Sequence, residues 1–221
     1  MFDRLKKLIG AAKPHPPADS ETNLASGWYD QKSEIMAAIL GPEHSMVMHA
    51  TIPYGVGGFL DLYYYPNGLP GTAIATKELS ELPGQGSSNL AFACYELAMF
   101  TRHTLNISEA RDESTAFGHA HATINRVLNY IARYSSATSL NPKETCAFPA
   151  EMKLVGGKCL IFDAYGVPDD DTFRTFGILA VIEVHPSEMN FARSEGGSAL
   201  IARLKNAGYY PYSDLDREPV A

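Results

Sequence analysis

The sequence predicts an α+β domain, an α/β sandwich in which one mixed, mainly antiparallel sheet of about six strands carries helices packed on it. Three observations lead there. Residues 176–184 are almost unbroken apolar, with Ile178, Leu179, Val181, Ile182 and Val184, and stop at His185-Pro186. A short run so rich in β-branched residues is a strand buried on both faces. Residues 45–53 alternate apolar and polar, and residues 59–65 form a second strand. The glycines at 55, 57 and 58 stand between them and give an antiparallel hairpin. Residues 108–134 repeat Phe117, Ile124, Val127, Leu128 and Ile131 near a 3.6-residue period, the mark of a long helix packed along one side.

The remaining elements follow in chain order. Residues 1–9 form a short amphipathic piece, with Phe2, Leu5, Leu8 and Ile9 opposite Arg4, Lys6 and Lys7. At about two and a half turns it is too short for a firm membrane anchor. Residues 13–20 are a Pro-rich extended connector, so residues 1–20 precede a single domain at 21–221. Residues 26–40 carry Trp28, Ile35, Met36, Ile39 and Leu40 on one side and end at Gly41-Pro42, as a helix does. Pro66-Asn67-Gly68 is a turn. A short strand follows at 72–77, then a loop at 78–89, then an aromatic-rich strand at 92–101. Residues 135–149 are polar and contain prolines, a long loop. Residues 158–164 are a strand and 166–171 an acidic turn. After the buried strand, Ser187 is expected to cap a helix whose first turn holds Glu188, and Ser198 a second one with Leu200, Ile201 and Leu204 as its stripe. Gly208 takes the position after the last helix, where glycine relieves a left-handed backbone.

The totals restrict function. The 221 residues carry a net charge of −7, which argues against a phosphate-backbone ligand and is compatible with a basic protein partner. Cys94, Cys146 and Cys159 are widely spaced and form no C-x-x-C, as expected of free cysteines in a reducing cytosol. The sequence has no apolar run of 18 residues, and hence no membrane-spanning helix is expected.

Candidate chemistry is sparse. His119 and His121 would point about 200° apart on a helix and so could not share a metal ion. His185 and Glu188 span a strand end in an enzyme-like H-x-x-E, but the start of a helix explains Glu188 equally well. No histidine lies beside Cys94 to activate it as a nucleophile. The glycine-rich stretches at 55–58 and 84–88 lack the Gly-Lys-Ser/Thr of a phosphate loop. No cofactor or metal site is therefore expected. The aromatic and charged tail, Tyr209, Tyr210, Tyr212, Asp214, Asp216 and Arg217, is the candidate partner surface, with Arg217 expected to pair with Asp214 or Asp216 and pin the tail.

Several pieces together resemble the bacterial suppressor-of-fused domain family. They are Thr76-Lys77-Glu78-Leu79, the Gly86-Ser87-Ser88-Asn89 loop, residues 95–102 (YELAMFTR), residues 182–189 (IEVHPSEM) and residues 210–217 (YPYSDLDR). The resemblance runs from about Trp28 to the C-terminus. It implies a non-enzymatic, cytoplasmic protein-binding domain without cofactor, and allows the role of an immunity protein, an antitoxin that neutralises a basic toxin. No counterpart of the second domain of the animal namesake is expected in this chain. The alternatives are a metal-dependent hydrolase using His119, His121, His185 and Glu188, and a scaffold or homodimer with no toxin partner.

Overall fold

The computed structural model describes residues 18–168 and 172–221. The amphipathic segment at 1–9, most of the Pro-rich connector and the tip of the acidic turn lie outside them.

Seven strands form one sheet in the order β1-β2-β3-β4-β7-β6-β5. In chain order, α1 (Ala18–Leu40) precedes β1 (Val47–Met48), β2 (Leu62–Tyr65), β3 (Thr72–Ala75) and β4 (Phe92–Thr101). Then come α2 (Ala116–Ser135), β5 (Thr145–Ala147), β6 (Cys159–Tyr165), β7 (Arg174–Val184), α3 (Pro186–Glu195) and α4 (Gly197–Asn206). Every neighbouring pair is antiparallel except one, in which β4 and β7 run parallel from Phe92↔Arg174 to Ala98↔Ala180. The mixed, mainly antiparallel α+β sheet expected from the sequence is the one found.

Both faces of the sheet are covered, which is why β4 and β7 are apolar almost throughout. Along β4, Cys94, Ala98 and Phe100 meet one layer, with Trp28 and Met36 of α1, Met189 of α3 and Leu200 and Leu204 of α4. Tyr95, Leu97 and Met99 face the other layer, where α2 contributes Ile124, Val127, Leu128 and Ile131. The strand period of two thus splits one sequence into two cores.

Several boundaries differ from the sequence reading. Ala18–Ser20 belong to α1, not to an extended connector. The first strand of the hairpin shrinks to two residues because Asp61 captures the next stretch: its carboxylate accepts the Ala50 N–H at 2.8 Å and holds His49 Nδ1 at 2.6 Å. Its partner begins at Leu62, not at 59. The helix expected from 108 begins only at Ala116, because Thr115 is its N-cap, accepting from Gly118 N at 3.1 Å. The loop at 135–149 contains the edge strand β5. His185, not Ser187, caps α3, with Pro186 in the first helical position and Glu188 closing a capping box. Gly196, not Ser198, precedes α4. Gly208, with φ 71°, holds the left-handed position expected of it.

Candidate functional site

Parallel strands leave a crevice at their carboxyl ends where they part, the usual place for a ligand in an open sheet. Here β4 and β7 separate beyond Ala98 and Ala180, and the chain's own tail enters the gap. Tyr212 forms an isolated parallel bridge with Phe100, and Ser213 N donates to Phe100 O at 2.8 Å. The Ser213 hydroxyl accepts from Glu183 N at 3.1 Å and donates to Val181 O at 3.3 Å, so this one residue joins β4 through its backbone and β7 through its side chain. Asp214 accepts the Thr101 hydroxyl at 2.6 Å and Arg102 N at 2.7 Å.

Further along, Arg217 meets Glu188 in a two-pronged ion pair, Nη1–Oε1 2.6 Å and Nη2–Oε2 2.8 Å. The expectation that Arg217 would pair with Asp214 or Asp216 is thus corrected. Glu188 is fully buried and also accepts His185 N and Val220 N. Burial pushes its carboxyl up, but the Arg217 bond and the two backbone N–H groups outweigh that and hold it below the ordinary glutamate value. His185 Nε2 donates to Arg217 O at 2.9 Å.

Above this plug lies a cleft of about 580 Å³ between the first two turns of α2 and the ends of β6 and β7. Its charged and titratable lining is His103, Glu113, His119, Lys158, Glu183, Asp214 and Asp216. Glu183 is buried, which raises its carboxyl, while Lys158 at 2.7 Å draws it back. Glu113 pairs with Arg126. Four carboxylates and one lysine thus line the cleft, with Arg126 against Glu113 and His103 4.0 Å from Asp214.

The residues expected to meet a partner are divided by the structure. Tyr210 donates to Asp163 at 2.9 Å and Tyr212 to Pro70 O at 2.7 Å, so both phenols serve the fold. Arg102 lies over the rings of Tyr209 and Tyr212, and Arg217 over Tyr209 on its other contact. Tyr209 is half-buried, and Asp216 is the exposed member of the group. The enzyme-like quartet does not converge. His121 is buried with Nε2 2.9 Å from the Tyr64 hydroxyl, His119 faces the cleft, and Glu188 is committed to Arg217. Among the described residues no group of three His, Cys, Asp or Glu side chains is placed to hold a metal ion. None of their helices is long and apolar enough to cross a membrane. Cys94 donates its thiol to Thr175 O at 3.2 Å, and burial raises its pKa, the opposite of what a nucleophile needs.

The pieces singled out by sequence around Thr76 and Tyr95 form a buried polar lock. Glu96, fully buried, accepts Thr76 Oγ1 at 2.6 Å, Ser80 N at 3.0 Å, Ser80 Oγ at 2.7 Å and Lys32 Nζ at 3.2 Å. Lys32 also donates to Lys77 O and Ser80 O, tying α1 to the loop after β3. Sequence reasoning missed this pairing. Its one local signal was a lysine on the apolar side of α1, four residues after Trp28.

A three-layer domain whose crevice is filled by its own tail is thus defined, and solved structures share its fold. The chain resembles the crystal structure of the Sufu–Fu complex, with a TM-score of 0.54, 15% identity, and coverage of 89% of this chain and 92% of that one. It also resembles Drosophila Suppressor of Fused, with a TM-score of 0.50 and 17% identity, over 80% of this chain and 46% of that one. At these identities the likeness shows a suppressor-of-fused-like fold. No protein-family model matches the sequence, and no curated protein matches it.

Proposed function

We propose that the chain is a non-enzymatic protein-binding domain of the suppressor-of-fused type, cytoplasmic and of bacterial kind. Its partner carries basic side chains to the cleft above the tail. The observation that carries the reading is that cleft: four carboxylates against one lysine, placed where open sheets receive ligands, on a chain of net charge −7. Support comes from the fold, since a solved structure sharing it is a complex of Sufu with Fu. The sequence resemblance supports a narrower role, an immunity protein whose partner is a basic toxin. Of the residues first assigned to partner contact, Asp214 and Asp216 line the cleft, whereas Tyr209, Tyr210 and Tyr212 pack with the helices on the other face of the sheet and Arg217 holds Glu188 of α3.

The test is affinity capture from the native cell with the wild-type chain and with the double variant Glu113→Lys, Asp216→Lys. Both positions are exposed, so the fold should tolerate them. A protein retained by the wild type and lost with the variant is expected, together with relief of growth arrest when that protein and this chain are expressed together. Equal capture by both, or no enriched protein, defeats the reading. Rescue failing while capture succeeds removes only the immunity role.

A further inference from the structure

The buried carboxylates of this domain come with cations. Glu96 has Lys32, Glu183 has Lys158, Glu188 has Arg217, and Asp163 has Lys205 at 3.9 Å. Glu78 is the exception. It is half-buried at the start of the loop after β3 and accepts Asp61 N at 2.7 Å, yet forms no ion pair among the described residues. It faces a pocket of about 490 Å³ enclosed by the Gly86–Ser88 loop and the end of α2. Glu78 is the one charged side chain lining it. The other polar groups are the hydroxyls of Tyr54, Ser87, Ser88, Ser135, Ser136, Thr138 and Ser139.

The pocket is built into the fold. Ser87 and Ser135 bond each other at 2.9 Å, joining loop to helix. Gly86 has φ 114°, and a Cβ there would collide with the Leu79 carbonyl, so only glycine lets the loop lie this close. Behind the serine pair, the buried Tyr95 hydroxyl lies against Ser87, Ser135 and Leu140 O, but meets none of them at hydrogen-bond geometry. Hydroxyl oxygens accept hydrogen bonds, and the α2 carboxyl end presents the negative pole of the helix.

We propose that this pocket binds a primary ammonium group, with Glu78 as its counter-charge and the serine and threonine hydroxyls as acceptors. The compact three-donor ammonium suits a ring of single acceptors better than the planar guanidinium. It is the chemistry of a lysine side chain or of a free alkylamine. Burial raises the Glu78 carboxyl to about 7. Against that burial the Asp61 N–H bond draws it down, the charges of Asp61 ahead of β2 and Glu96 on β4 push it up, and Lys32 on α1 draws it down. Tyr54 beside it lies over Arg133 of α2. The amine stays protonated across this range, so its affinity follows the ionised fraction of Glu78.

The proposal stands apart from the cleft and its protein partner, and small molecules alone test it. Amide NMR shifts at residues 86–88 and 135–139 are followed while adding N-acetyl-lysine methylamide, butylammonium, or the uncharged N-acetyl-norleucine methylamide. The two amines should bind and the norleucine analogue should not, and amine affinity should rise about tenfold from pH 6 to pH 8. Glu78→Gln, which keeps an acceptor for Asp61 N, should weaken the amines at least tenfold at pH 8 and flatten the profile. Tighter binding of the lysine derivative assigns the site to a side chain, and equal binding to a free amine. No shift, equal binding of norleucine, or a flat wild-type pH profile overturns the proposal.

Discussion

Arg217 and Glu188 show what a single pair does in this molecule. Each is almost wholly withdrawn from water, and the guanidinium satisfies a carboxylate that two backbone N–H groups already hold. Removing the arginine would strand a buried charge, which costs about 3–5 kcal/mol. Arg217→Met should therefore lower unfolding free energy by that order in urea titration, and adding Glu188→Gln should recover part of it. Sequence could not reveal the pair, because 29 residues separate its members and two aspartates nearer to hand are the obvious partners. His121 makes a second residue-scale case. Burial lowers its pKa, against an opposing hydrogen bond to the Ala110 backbone. As pH falls, the unfolded chain takes up the proton first, near its ordinary value of about 6.5. Stability is thus full above that value and falls between it and the lower folded value. From pH 8 to pH 5 the wild type should lose more stability than His121→Gln, and equal losses would show that His121 is not the group involved.

At the scale of elements, sequence legibility followed burial. Strands β4 and β7 are covered on both faces, and β4 was placed with its bounds intact. Edge strands gave weaker signals. Three-residue β5 stands between Pro142 and Pro149, too short for its ladder bonds to β6 to leave a periodicity to find. At β1 the alternation of Met46, Met48, Ala50 and Ile52 suggested a longer strand, but Met46 and Ile52 are exposed and the Asp61 side chain has replaced the ladder. The start of α2 shows a local hydrogen bond overriding a longer apolar pattern. Its Thr115 cap predicts that Thr115→Ala costs about 1 kcal/mol, read as a shift in urea midpoint. Thr115→Ser should be nearly neutral.

For the whole molecule, topology explains why the candidate site was only partly legible. The sequence marked the tail as important and named Asp214 and Asp216. It could not show that the tail inserts between two parallel strands, nor that His119, Lys158 and Glu183 from three other elements gather above it. The tail also gives the fold its closure, since Ser213, Asp214 and Arg217 bind β7, the end of β4 and α3 in turn. A partner that reads this face meets charge held on a rigid base, so its association should be fast and salt-sensitive.

Binding at the acidic cleft is tested by the association rate of the captured partner, measured at low and at physiological ionic strength. The rate should fall steeply as salt rises, and should be low and nearly salt-independent from the start for the Glu113→Lys, Asp216→Lys variant. A rate that neither salt nor charge reversal changes would contradict binding at the acidic cleft.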